Sequence, residues 1–223
     1  MIAAAGMLGA GFVGGADGKR AWRTPANLFD PCGPAAQWPE IFVAPCTNWR
    51  RTDRLSRAVL LAAEGAVTAA ALSESVRFTT ALSLLSVHGC LDADARYRRG
   101  LSESAGIEPG LFVYTTPNAC LGEVAIRHQL RGSSCAMSLF GVDLDDATWE
   151  AAIDPVSDGD APAALVFVGE AVGLEAAALA FLEPVTHMTA YLLVAAPRSA
   201  GLPSTLDCAA WAERIIAAPV GAP

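Results

Sequence analysis

The chain of 223 residues is long enough for one large domain with a buried core. Apolar residues make up 53% of it and charged residues only 17%, which indicates extensive burial inside the fold or against a partner. Its formal net charge of −8 argues against binding to nucleic acid or to anionic membranes, because phosphate recognition needs clustered lysine and arginine.

The first third of the chain predicts a strand, a long loop and a helix. Ile2–Met7 is a short apolar run that ends in glycines, as a buried strand does. Prolines interrupt residues 14–50 repeatedly and prevent a long helix there, so this segment is predicted to be loop-like. Thr52 or Asp53 can cap a helix, because apolar residues recur at helical spacing after them.

Strands and helices then alternate, which is typical of an α/β fold. Further strands are predicted at Phe78–Leu85, Ala136–Phe140, Ala164–Val168 and Thr189–Ala195. Helices are predicted at Leu91–Ser104, after a cap at Asn118, after a cap at Asp145 or Asp146, and at Leu174–Phe181. Residues 1–196 are expected to form one domain, and residues 197–223 a tail with one short helix.

Residues Gly9 to Gly14 match the G-x-G-x-x-G pattern of dinucleotide-binding loops. Such a loop must open a helix whose N-terminus faces the pyrophosphate. The residues that follow show no apolar periodicity and meet Pro25, so a glycine-rich strand exit is the favoured interpretation. No cofactor is predicted.

Six cysteines are scattered without the spacing of a metal site. Isolated cysteines in an apolar chain behave as small core residues, and Cys135 is predicted by strand alternation to be one of them. Reduced thiols are typical of the cytoplasm, which is the expected compartment.

The sequence contains no run of about 18 uninterrupted apolar residues, so no transmembrane helix is predicted. The apolar N-terminal run has no basic residue before Lys19, so it is interpreted as a strand and not as a secretory signal.

The segment from Leu111 to Gly141 resembles β-ketoacyl synthases. In that family a loop of the type P-x-x-F-x-x-T-x-x-N leads into a helix that ends in I-R-x-x-L-x-G. The residues that hold matching places here are Asn118, Ile126, Arg127, Leu130 and Gly132. The run WRRTDRLSRAVLLAAEGAV is similar to another helix of the family, and LVFVGEAVG is similar to its V-L-V-G-G-A-E strand.

The resemblance implies a thiolase-like α/β fold over residues 1–196. The expected architecture is the N-terminal half of that fold, a mixed five-stranded sheet with helices on both faces, without the second half. Family spacing places the nucleophilic cysteine at Gly141, which cannot carry an acyl group. The two histidines of the family belong to the absent half. His128 is predicted on the polar side of its helix and His187 in a loop, and neither suits a general base.

Inactive ketosynthase homologues act as chain length factors in type II polyketide synthesis. Short ones accompany highly reducing polyene systems, including aryl polyene synthesis. The resemblance therefore implies a non-catalytic subunit that pairs with a full-length ketosynthase, as a heterodimer or a dimer of heterodimers. Because acyl carrier proteins are usually acidic, as this chain is, the carrier is expected to dock on the catalytic subunit.

Two sets of residues are candidates for the wall of the acyl pocket. In the family, the loop before the conserved asparagine crosses to the neighbouring subunit, and here it contains Leu111, Phe112, Thr115 and Thr116. A second set, spaced to share one helical face, is His88, Leu91 and Ala95. Ordinary core or dimer packing is the alternative for both sets. A further alternative for the whole chain is an independent acyltransferase or thioesterase that uses Cys135.

Overall fold

The computed structural model describes residues 2–9, 12–15, 21–22, 42, 44–70, 72–103, 106, 108–139, 146–179 and 185–194. Within them, seven strands form one mixed sheet. The strands are β1 (Ile2–Gly9), β2 (Phe12–Gly15), β3 (Ala21–Trp22), β4 (Ala81–Ser86), β5 (Ser134–Ser138), β6 (Ala163–Val172) and β7 (Val185–Val194). Their order across the sheet is β3-β2-β1-β7-β6-β4-β5. β4 runs parallel to both β5 and β6, and all other neighbours are antiparallel.

The predicted α/β sheet is confirmed, but it contains seven described strands where five were predicted. The two additional strands are β2 and β3. β2 overlaps the start of the segment 14–50 that was predicted to be loop-like, and β3 lies within that segment. β1 and β2 pair as a hairpin in which Gly9 lies opposite Phe12. The G-x-G-x-x-G run therefore connects two strands and does not lead into a helix. The predicted tail at residues 197–223 lies outside the described residues.

Seven α-helices are described. They are α1 (Arg54–Ala70), α2 (Glu74–Thr79), α3 (Leu91–Ser102), α4 (Pro109–Phe112), α5 (Asn118–His128), α6 (Asp146–Ser157) and α7 (Leu174–Leu179), and a 3-10 turn at Val113–Thr115 follows α4. Asp53 caps α1, because the backbone N–H of Ser56 donates to its carboxylate at 3.0 Å. The predicted strand from Phe78 starts too early, since Phe78 lies in α2. None of these helices is long and apolar enough to cross a membrane.

Helices cover both faces of the sheet, as predicted. Leu82 and Leu84 of β4 point to the face on which α1 and α5 pack. Leu85 points to the opposite face, where it packs with Trp149 of α6. This alternation follows from the two-residue period of a strand. β6 lies between the two layers, and of its ten residues only Val168 is not buried.

Gly132 precedes β5 at a point where two backbone segments nearly touch. Its N–H donates to the carbonyl of Thr80 at 3.2 Å. A Cβ at position 132 would lie 2.3 Å from that same carbonyl oxygen. Only glycine permits this approach, which joins the start of β5 to the start of β4. The glycine of the resembling motif therefore has a structural explanation.

Candidate functional site at the carboxyl ends of the parallel strands

The loop that the resemblance places across a subunit boundary comprises residues 109–117, and we call it the crossing loop. Leu111 is buried in a small cluster with Cys90, Ala93 and Tyr114. Phe112 and the adjacent Val113 are 60% and 58% exposed. Leu111 thus anchors the loop to α3, while Phe112 lies on the outer surface.

Polar contacts hold the crossing loop in place. The Cys90 thiol donates to the carbonyl of Thr115 at 3.1 Å. Burial, with the Asp94 carboxylate nearby, raises the pKa of Cys90 to about 12, so this thiol remains a donor and not a thiolate nucleophile. The Tyr114 hydroxyl donates to Glu123 of α5 at 2.8 Å. Burial raises the pKa of Tyr114, which keeps this donor protonated as well.

The two predicted threonines of the loop use their hydroxyls locally. Thr115 donates to the carbonyl of Phe112 at 2.8 Å, and Thr116 donates to that of Val113 at 3.0 Å. These bonds close the 3-10 turn. The loop then leads directly into α5. Asn118 is the first residue of that helix, and the preceding residue, not Asn118, holds the cap position, without a side-chain cap bond.

The second predicted set divides in the structure. Leu91 and Ala95 lie on α3 and pack against Val172 and the small residues of α7. This contact is internal packing between two helices and a strand end. His88 precedes α3 and lies in the turn after β4, so the three residues do not share one helical face. Whether any of them lines an acyl pocket stays a prediction.

The turn after β4 is organised by Glu170, a buried carboxylate of β6. Its oxygens accept hydrogen bonds from the Ser86 hydroxyl at 3.1 Å and from the His88 N–H at 3.1 Å. The Val87 N–H also donates to this carboxylate. The Nδ1 atom of the His88 ring lies 3.1 Å from Glu170 Oε2. One carboxylate thus fixes both the backbone and the side chain of the turn.

This cluster, which we call the Glu170 cluster, lies next to the exit of β5. The N–H of Leu139 donates to the carbonyl of Ser86 at 2.9 Å. Gly141, the predicted position of the lost nucleophile, follows two residues later and lies outside the described residues. Sequence reasoning did not select Glu170 as a site residue. The available signal was a single carboxylate inside the apolar run LVFVGEAVG.

Three other sequence predictions need correction. Cys135 is exposed and not packed in the core, because β5 lies at one edge of the described sheet and its side chains are only partly covered. His128 is buried and not on a polar helix side, because α5 turns it toward Glu64 of α1. His187 lies in β7 and not in a loop. In the described part of the chain, no group of His, Cys, Asp and Glu has the arrangement of a metal site.

An ion pair joins the C-terminal end of α5 to α1. The Arg127 guanidinium donates to both carboxylate oxygens of Glu64, at 2.7 and 3.1 Å. It also donates to the carbonyl of Ala44 at 3.0 Å and lies 4.4 Å from the centre of the Phe42 ring. The His128 Nε2 atom lies 3.4 Å from Glu64 but makes no hydrogen bond. This arginine therefore connects three segments of the chain.

Acid should destabilise the fold through His128. Burial lowers its pKa from 6.5 to about 4 and outweighs the opposite effect of Glu64, while Arg127 and Arg77 act with burial. Above pH 6.5 the ring is neutral in both states, so it adds no penalty. Between pH 6.5 and about 4 the imidazole of His128 is protonated in the unfolded chain but not in the folded chain. This difference in proton binding lowers the free energy of unfolding by about 3 kcal/mol as the pH falls through that range.

The measurement is thermal unfolding at several pH values for the wild type and for His128→Gln. We expect the wild type to lose stability more steeply as the pH falls through this window. Parallel pH profiles for the two proteins would contradict the assignment.

No family model matches the chain, and no curated protein sequence matches it. Several solved structures, in contrast, match the chain. The ketosynthase ApeO in complex with its chain length factor ApeC, from Xenorhabdus doucetiae, matches with a TM-score of 0.62 and 16% identity over 89% of this chain and 79% of that one. The ishigamide ketosynthase/chain length factor matches with a TM-score of 0.62 and 19% identity over 91% of this chain and 63% of that one.

A third match is a type II polyketide synthase acyl-carrier protein in complex with its ketosynthase bound to the hexaketide. Its TM-score is 0.57 and its identity 14%, over 87% of this chain and 57% of that one. The chain thus spans less than two thirds of the length of the second and third of these structures. Together the matches show that the chain has the ketosynthase, or thiolase-like, fold that the resemblance implied.

Proposed function

We propose that this chain is a non-catalytic chain length factor that pairs with a full-length ketosynthase and shapes the acyl pocket of a type II polyketide system of the polyene kind. The observation that carries the proposal is the glycine at 141, where family spacing puts the nucleophilic cysteine, in a chain with the ketosynthase fold. A glycine cannot form the acyl thioester that a ketosynthase requires. Two of the matched structures are themselves ketosynthase and chain length factor assemblies.

The surface around β5 supports a partner. β5 pairs with β4 on one side, and no described strand covers its other side. An open strand edge offers backbone donors and acceptors to another chain, and stable proteins normally cover it. Four large apolar side chains are also exposed among the described residues: Leu101 of α3, Phe112 and Val113 of the crossing loop, and Ile126 of α5 at 73%. We place the ketosynthase against the open strand edge and the crossing loop.

The proposal predicts that the chain needs its partner to stay in solution. Expressed alone, it should aggregate because the strand edge and the apolar residues stay uncovered. Phe112→Asp should weaken pairing by about tenfold or more, since it puts a charge at the centre of an apolar contact. Ala151→Asp, at an exposed position of α6, is the matched control. Co-purification from co-expressing cells measures both.

Recovery of Phe112→Asp complex at the wild-type level would remove the crossing loop from the interface. A stable monomer in size-exclusion chromatography would argue against obligate pairing.

The exposure of Cys135 is the one observation that favours the second candidate, an independent acyltransferase or thioesterase. Mass spectrometry of the complex after incubation with acyl carrier substrate decides between the two. Acyl label is expected only on the ketosynthase, and label on Cys135 would establish the second candidate.

A further inference from the structure

Glu170 is buried and lies far in sequence from the crossing loop, yet a chain of contacts joins the two. The Ser86 hydroxyl, which lies 3.1 Å from each oxygen of Glu170 and donates to that carboxylate, accepts the N–H of Gly89 at 2.9 Å. Gly89 has a positive φ of 51°, and a Cβ on it would lie 3.3 Å from Pro117 Cγ. The turn after β4 therefore rests directly against the last residue of the crossing loop.

A second contact runs from the same turn to the outer side of the loop. The Cys90 thiol donates to the carbonyl of Thr115 at 3.1 Å. The Thr115 hydroxyl donates in turn to the carbonyl of Phe112 at 2.8 Å. Phe112 is one of the exposed residues against which the ketosynthase is placed. Hydrogen bonds thus connect the turn with a side chain of the proposed interface.

The shape of the turn depends on the charge state of Glu170. The backbone N–H groups of Val87 and His88 both donate to its carboxylate, as the Ser86 hydroxyl does. Two carboxylate oxygens can accept from all of these donors, because each has two lone pairs. A glutamine amide has one accepting oxygen, and its NH₂ group would face a donor. The turn would then have to rearrange, since an unmade hydrogen bond in a partly buried place costs free energy.

We propose that Glu170 is a positioning residue for the partner interface, which holds the crossing loop through the turn after β4 in the conformation that binds the ketosynthase. The inference rests on the function proposed above and adds to it a buried residue behind the interface. A loop that is already ordered loses less conformational freedom when the partner binds. Residues along such a chain of contacts can change binding several-fold without touching the partner.

The test compares Glu170→Gln with Glu64→Gln in the complex of this chain with its ketosynthase. Both variants remove the charge of a buried carboxylate, but that of Glu64 is bound by Arg127 of α5. Subunit exchange between tagged and untagged complexes, followed by native mass spectrometry, measures the dissociation rate. The Glu170→Gln complex should dissociate about five- to tenfold faster than the wild type, and the Glu64→Gln complex within about twofold of it. An unchanged rate for Glu170→Gln, or the same acceleration in both variants, would overturn the proposal.

A matched pair of variants at Cys90 tests the path from the turn to the loop and leaves the buried carboxylate in place. Cys90→Ser keeps a donor for the Thr115 carbonyl, whereas Cys90→Ala differs from it only by lacking the hydroxyl. We expect the Cys90→Ala complex to dissociate faster than the Cys90→Ser complex. Combined with Glu170→Gln, Cys90→Ala should accelerate dissociation by clearly less than the product of the two single effects, because both changes release the same loop.

Equal rates for the two Cys90 variants, or a full product in the double variant, would overturn the path and with it the role of Glu170. Failure of the wild-type chain to pair with the ketosynthase is seen before any variant is made, and it counts against the proposed function itself.

Discussion

Gly132→Ala is expected to destabilise the fold by about 3 kcal/mol or more. The new Cβ would lie 2.3 Å from the Thr80 oxygen, 2.5 Å from the Thr80 carbonyl carbon and 2.8 Å from the Ala81 nitrogen. All three are backbone atoms, so no side chain can rotate away. Relief requires β4 and β5 to separate at their starts, where the parallel pairing begins. We expect little soluble chain on co-expression and a lowered melting temperature of any complex that forms.

Gly122→Ala is the matched control for this change. Gly122 lies within α5, is exposed, and has nothing within 4 Å of the position of a Cβ. Alanine in a helix interior is favoured over glycine by about 1 kcal/mol, so this variant should be as stable as the wild type or more so. Equal melting temperatures for the two variants would show that the contact at Thr80 relaxes freely.

Arg127→Met is expected to cost about 3 to 5 kcal/mol, because it leaves the Glu64 carboxylate in the core without its guanidinium. The Glu64 side chain is only 3% exposed. The change also removes the contacts of the arginine to Ala44 and Phe42, so it loosens these two residues from α5. Thermal unfolding of the co-purified complex measures the loss.

Glu64→Gln combined with Arg127→Met completes a double-mutant cycle. Removing both charges should cost less than Arg127→Met alone, since no charge is then left buried. Additive losses in the two single variants and the double variant would mean that the two side chains do not couple. The cycle therefore measures the ion pair separately from the packing of the arginine.

Local periodicity predicted most of the fold because both faces of the sheet are covered by helices. The apolar positions of α1, such as Leu55, Val59 and Ala62, are all buried as their spacing indicates. The same method failed at Phe78, where the short helix α2 buries none of its residues and so has no apolar stripe to detect. β2 and β3 are short and lie in or next to glycine-rich sequence, where the propensity for strands is low, so the sequence pattern did not predict them.

The candidate site was harder to predict because its contacts join distant segments. Alternation along β5 indicates which face Cys135 occupies, but it cannot show whether a helix covers that face at the sheet edge. The helical pattern of α5 treats His128 as a polar residue, and only the docking of α1 brings Glu64 beside it. The same is true of Glu170, whose four donors come from a turn more than 80 residues earlier in the chain.

The pairing of β1 with β7 has a consequence for synthesis on the ribosome. β1 leaves the ribosome long before β7 and can form its hairpin with β2 early, but its other edge waits for β7, the last described strand. Translation proceeds at about 5–20 residues per second, so this edge stays open for roughly 10 to 40 s. During that interval the chain displays an apolar strand with one unpaired edge. A chaperone that holds nascent strands should therefore increase the yield of this protein more than one that acts after release.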